Sequence, residues 1–130
     1  MDKKQLTDIY FMMNKIRKFE EKALHLFESN KLRGSVHLCI GQEATPATVC
    51  SMLTDDDYIT STHRGHGHCI AKGADVRYAL AELMGKATGY CKGRGGSMHI
   101  ADFTKGNLGA NAILGVSLAV ARAAAASLEI

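Results

Sequence analysis

Seven consecutive residues, Thr62-His63-Arg64-Gly65-His66-Gly67-His68, hold three of the six histidines of this chain, an arginine and two glycines. Chemistry of two kinds is open to such a stretch. A guanidinium offers forked donors that suit phosphate or carboxylate, with the imidazoles as neutral donors or proton carriers beside it. Alternatively His63, His66, His68 and Cys69 offer the nitrogen and sulfur ligands that zinc prefers. Glycines at alternate positions would free the backbone for positive φ and for close approach to a ligand. The third reading is a solvated polar turn before a helix.

Three other stretches carry chemistry-bearing residues. Gly34-Ser35-Val36-His37-Leu38-Cys39-Ile40-Gly41 places one histidine in an apolar segment between glycines. Read alone, it is a core turn whose imidazole bonds nearby backbone. Lys92-Gly93-Arg94-Gly95-Gly96-Ser97-Met98-His99 sets cations among glycines, as a mobile surface loop or an anion cradle would; its spacing is not that of a Walker loop. Gly106 to Gly115 is a third glycine-rich stretch, largely apolar. Asp55-Asp56-Asp57 lacks the glycine and distal glutamate of a calcium loop and reads as a solvated turn.

The elements that must position these loops are mostly helices. Leu6, Ile9, Met13, Ile16, Ala23, Leu26 and Phe27 recur at helical spacing from Lys3 to Ser29, and Asn30 and Gly34 mark the stop. Arg17 and Glu21 are spaced for a favourable pair on the wet side, Lys18 and Lys22 for an unfavourable one. A second helix from Gln42 to Leu53 takes Pro46 in its first turn, with Ala47, Val49, Cys50 and Leu53 as its apolar stripe. Tyr58 to Ser61 favours a strand, leading into the histidine stretch. A helical turn from about His66 to Lys72 stops at Gly73. Asp75 then caps a helix whose Val76, Leu80, Leu83 and Met84 face inward before Gly85. A last, alanine-rich helix runs from about Val116 to Leu128. A loop between strand and helix is the usual place of nucleotide and diphosphate sites in α/β proteins.

A chain of 130 residues is one domain's worth, and 46% hydrophobic content is that of a globular protein. The net charge of +3 is too mild to argue for nucleic acid. The alanine-rich stretch carries Arg122 near its centre, which argues against a membrane span. Cys39, Cys50, Cys69 and Cys91 show no paired spacing, and no secretory segment is visible, so reduced thiols and a cytoplasmic location are expected.

Arg33-Gly34 through His37 to Gly41-Gln42-Glu43-Ala44, then His63-Arg64-Gly65-His66-Gly67, then Lys92 to His99, then Gly109 to Gly115 occur in an order that resembles the alpha subunit of the thiamine-diphosphate-dependent 2-oxo acid dehydrogenases. His63 stands where that family usually has tyrosine; the acetoin dehydrogenase branch carries the histidine. The resemblance implies an α/β architecture, with residues 1–130 the N-terminal portion of a thiamine-diphosphate-binding domain, helix-rich here with few short strands. It implies that His63 and Arg64 contact the diphosphate and that His37 faces the substrate. Ala112 and Leu114 would hold the aminopyrimidine, and His99 would carry a proton near the reacting carbon. The activity implied is cleavage of a C–C bond next to a carbonyl, with the acyl group passed to a lipoyl-bearing acyltransferase. A beta subunit would complete the site.

The Gly-Asp-Gly turn and Asn-Asn pair that bind Mg²⁺ in the family have no counterpart in these residues, so no metal ligand is assigned. Two expectations follow. The chain by itself should bind thiamine diphosphate weakly, and apolar surface should drive it to associate with itself or a partner. The alternative to an enzyme part is a catalytically inactive remnant acting as an interaction module.

Overall fold

A computed structural model describes residues 1–32 and 34–110 together with Ser127. Arg33, Ala112, Leu114, Arg122 and nearly all of the alanine-rich helix expected at 116–128 lie outside the described residues.

Four helices organise the described residues: α1 (Lys3–Glu28), α2 (Ala44–Cys50), α3 (His66–Ala71) and α4 (Val76–Leu83). A 3-10 turn follows at Phe103–Lys105. Helix α1 starts with a capping box: the Asp2 carboxylate accepts the Gln5 N–H at 2.8 Å, and the Gln5 side chain accepts the Asp2 N–H at 3.1 Å. Its end uses the motif that also ends α3 and α4. A left-handed residue, Asn30, Gly73 or Gly85 (φ 55°, 104° and 66°), lets the next N–H turn back to a carbonyl of the last turn. Those bonds are Lys31 to Leu26, Ala74 to Cys69 and Lys86 to Ala81, at 2.9, 3.1 and 2.9 Å. The stop signals in the sequence thus do the work expected of them.

Helix α1 is the spine. Ile9, Ile16, Phe19, Ala23 and Leu26 are buried on one stripe, against Ala47 of α2, Cys69 and Ile70 of α3 and Ala79 and Leu83 of α4. Burying each large aliphatic side chain stabilises the fold by roughly 1.5–3 kcal/mol. Leu6 and Phe27 were expected on this stripe but are exposed, 55% and 42%. Phe27 lies a 100° step around the helix from buried Leu26. Val49 is exposed because it lies two residues from the buried Ala47, on the far side of α2. Met84 is exposed because α4 has already ended there.

The charge pairs also differ from expectation. Arg17 donates not to Glu21 but to Glu43 Oε1, at 2.5 Å, and the same oxygen accepts the Gly41 N–H at 2.9 Å. Lys18 takes Glu21 instead. The aspartate run is a turn tied down at both ends: Asp57 accepts the Thr54 N–H and hydroxyl, and Asp55 pairs with Lys105.

The strand expected at Tyr58–Ser61 is a single parallel bridge, Ile59 with Asn107. Ile59 gives its N–H to Gly106 and accepts that of Leu108, at 2.9 and 3.0 Å. A strand needs a neighbour that stays extended for several residues. Here the partner segment turns at Gly106 and Gly109, both at positive φ, so the ladder stops after one rung. Among the described residues there is no strand, and the architecture is helix-rich.

Candidate functional site

Three connecting segments meet at one end of α3: the strap 34–41 between α1 and α2, the turn 62–65 and the loop 91–99. Glycine governs how closely they meet. A Cβ on Gly67 would lie 3.0 Å from Cys39 Sγ, 3.2 Å from Pro46 Cγ and 3.3 Å from Ile16 Cγ2. Gly67 therefore lets α3 press against α1, α2 and the strap at once. Gly65 sits against the Ser61 hydroxyl in the same way, 2.8 Å from where its Cβ would be. Neither glycine has positive φ. The sequence suggested room for a ligand; the structure spends that room on packing.

His37, His63 and Arg64 come together. The imidazoles of His37 and His63 meet edge to face, centroids 5.0 Å apart and planes at 90°. An Arg64 Nη donates to the carbonyl of Leu38, next to His37, and the Arg64 N–H donates to Thr62 Oγ1 at 3.2 Å. His63 is exposed while His37 and Arg64 are half-buried, so the trio forms a basic, nitrogen-rich mouth on the surface. The rest of the Arg64 fork makes no hydrogen bond among the described residues, and five N–H donors fixed in a plane suit a polyanion.

The four ligands of the zinc reading are not brought together. His63 faces His37. His66 is fully buried between Glu20 and Ser97. His68 borders a small cavity with Pro46, Val49 and Ile59, and burial holds its pKa below the usual imidazole value. Cys69 is fully buried, and burial pushes its thiol far up. His63 precedes α3, His68 lies about 160° around it from His66, and His66 and Cys69, though on one face, are spent on the core and the Glu20–Ser97 bonds. Among the described residues no group of three or more His, Cys, Asp or Glu side chains could hold a metal ion.

The loop 91–99 is a cradle of N–H groups, as one reading of its glycines allowed, but the oxygens it holds belong to a side chain of α4. Glu82, fully buried, accepts the N–H of Cys91 and Gly93 at Oε2, at 2.8 and 2.9 Å, and those of Gly95 and Gly96 at Oε1, at 2.7 and 3.2 Å. Those N–H groups are not available to a cofactor. His99 is half-buried, its Nδ1 has no hydrogen-bond partner among the described residues, and its carbonyl faces the Cys91 thiol at 3.6 Å. No hydrogen bond or ring contact joins His99 to His37 or His63 among the described residues. Ala112 and Leu114 lie outside them.

Sequence reasoning missed the polar chain beneath the mouth. Glu20 Oε1 lies 2.9 Å from His66 Nδ1, His66 Nε2 lies 2.9 Å from Ser97 Oγ, and Ser97 Oγ accepts the His37 N–H at 2.9 Å. Cys39 donates its thiol to Glu20 Oε1 at 3.2 Å; burial, then the Glu20 charge, push that thiol up to about 12, so it remains a donor. A signal was present. Glu20 stands four residues from Ile16 and three from Ala23, inside the apolar stripe, and Glu82 stands between buried Ala79 and Leu83. An acid on a buried face must find donors, because an unpaired one would cost several kcal/mol or more.

Residues 11–129 match the family model described as dehydrogenase E1 component. The acetoin:2,6-dichlorophenolindophenol oxidoreductase alpha subunit of Bacillus subtilis is 60% identical over 107 residues, 82% of this chain and 32% of its own length. That of Cupriavidus necator is 52% identical over 116 residues, 88% of this chain and 34% of its own. The pyruvate dehydrogenase E1 component subunit alpha-3, chloroplastic, of Arabidopsis thaliana is 38% identical over 125 residues, 96% and 29%. The chain thus spans about a third of the length of these relatives. With the family match covering almost every residue from α1 onward, mouth and buried chain included, this protein belongs to the dehydrogenase E1 component family.

Proposed function

We propose that this chain is part of the alpha subunit of a thiamine-diphosphate-dependent dehydrogenase, of acetoin rather than pyruvate type, within an α/β thiamine-diphosphate-binding fold. One observation carries the reading: His37 converges with the adjacent pair His63 and Arg64, distant from it in sequence, on one surface mouth. The higher identity to the acetoin subunits than to the pyruvate subunit supports the choice of donor. The donor set fits a diphosphate, since a guanidinium fork and an exposed imidazole are what its oxygens need. It does not fit Mg²⁺, which needs oxygen ligands; the described residues offer no cluster of them at the mouth.

Thiamine diphosphate, when bound, supplies the carbon nucleophile for breaking a C–C bond beside a carbonyl. The residues of this chain hold and shield. Arg64 takes the diphosphate oxygens, anchored by its own bond to the Leu38 carbonyl, and His63 adds a donor beside it. His37, half-buried against the His63 ring, faces the substrate and serves as a proton carrier there. His99 is a second proton carrier for the same reaction, and Ala112 and Leu114 support the aminopyrimidine. A beta subunit completes the site and a lipoyl-bearing acyltransferase takes the acyl group, in the cytoplasm.

Titration calorimetry with thiamine diphosphate, with and without Mg²⁺ and with and without the beta subunit, tests this. Heat of binding that falls at least about tenfold in affinity in His63→Ala and Arg64→Ala, roughly 1.4 kcal/mol each, supports it. Folded protein that binds no cofactor even with the beta subunit overturns it in favour of an inactive interaction module, and equal binding in both variants overturns the placing of the diphosphate on His63 and Arg64.

A further inference from the structure

Ser97 lies where two buried acids converge. On one side Glu20 of α1 reaches it through His66. On the other, Glu82 of α4 gathers the N–H groups of the 91–96 loop, including Gly95 and Gly96 immediately before Ser97. Both acids and His66 are fully buried, and Ser97 is only 7% exposed. A serine this enclosed has one position for its oxygen, and the proton positions follow from counting acceptors.

A carboxylate at Glu20 takes its hydrogen bond from His66 Nδ1; in the neutral imidazole Nε2 is then bare and accepts the Ser97 O–H. The Ser97 oxygen keeps its lone pairs for the His37 N–H. In the opposite tautomer the serine proton would have no acceptor among the described residues. The chain of bonds therefore has one direction, from the His37 backbone through Ser97 and His66 to Glu20.

We propose that Ser97 is a positioning residue of the site: held by Glu20–His66 on one side and the Glu82-bound loop on the other, its hydroxyl fixes the His37 backbone and so the His37–His63 imidazole pair. The strap 34–41 has no helix or strand of its own. Its fastenings near the mouth are this bond, the Arg64 bond to the Leu38 carbonyl and the Cys39 thiol on Glu20. Of these, only the Ser97 bond reaches His37 itself. The consequence for catalysis rests on the function proposed above; the positioning is read on the chain without cofactor.

Amide exchange and ring-proton shifts, measured by NMR on the labelled 130-residue chain, test it. Ser97→Ala should speed exchange at the His37 N–H at least about tenfold and move the ring signals of both His37 and His63, since their edge-to-face contact would shift. Ser97→Thr, which keeps the hydroxyl, should restore both. Ile9→Val, which loosens the core two turns earlier on α1, beside Ala47 and Ala71, should leave the His37 signals in place. A folded Ser97→Ala chain with His37 unchanged, or Ile9→Val moving those signals as far, overturns the proposal. If Ser97→Ala does not fold, the unsubstituted chain decides: ring-nitrogen shifts placing the His66 proton on Nδ1 alone support it, and a proton on Nε2, alone or together with one on Nδ1, overturns it. Absence of thiamine diphosphate binding would sink the functional reading while leaving these results standing.

Discussion

At the residue scale, Gly65 and Gly67 are each small because a side chain or a neighbouring helix occupies the space a Cβ would need. Gly93 combines both demands. Its φ is 74°, and a Cβ there would lie 2.4 Å from the Gly85 carbonyl carbon. The left-handed backbone alone costs a non-glycine residue about 1–2 kcal/mol, and the clash is with backbone that cannot swing aside. Gly93→Ala should therefore lower unfolding free energy by at least about 2 kcal/mol in urea denaturation. Gly96, at φ 59° but with open space around it, should lose only the conformational part on the same substitution. Equal losses at the two positions would mean that the Gly85–Gly93 approach is not as tight as described.

At the scale of elements, α1 is held to the strap by Arg17 and Glu43. The hydrogen bond from Arg17 lowers the Glu43 carboxyl from its ordinary 4.5 to about 2, against the opposing effect of burial. A carboxyl depressed in the folded state adds stability above its unfolded pKa. Between about pH 4.5 and 2 that contribution drains away as the folded group takes up a proton. Glu43→Gln removes it at every pH. The variant should be less stable than the parent at pH 7, and the gap should narrow progressively below pH about 4.5 in urea titrations at a series of pH values. A gap independent of pH would show that packing of the side chain, not its charge, is what counts. The helices themselves were legible in the sequence to within a few residues because periodicity, N-caps and left-handed stops are local signals. Arg17 choosing Glu43 over Glu21 was not legible, since that choice depends on where the strap passes.

At the scale of the whole molecule, large apolar side chains remain on the outer faces of α1 and α2 and in the turn after α2: Tyr10 and Phe11, each 68% exposed, with Leu6, Val49 and Met52. Exposed apolar groups occurring in number on neighbouring helices favour association. Sedimentation should show the chain heavier than a monomer at micromolar concentration, and Phe11→Ser with Met52→Ser should shift it toward monomer. A monomer at all concentrations, silent toward a hydrophobic dye, would count against this. No described helix is long and apolar enough to cross a membrane.

The sequence by itself determined where α1, α3 and α4 begin and end, that His37, His63 and Arg64 merit attention, and which family they resemble. Those properties reside in short-range spacing and in residue type. The tertiary structure alone decided that the glycine loop closes on Glu82, that His66 serves Ser97 instead of a metal, and that the expected strand is one rung long among the described residues. Each of these depends on partners 9 to 48 positions away, as Cys91 is from Glu82 and Asn107 from Ile59. A buried acid or imidazole takes whichever donor the packing of the helices brings within 3 Å, and periodicity along one segment carries no record of that.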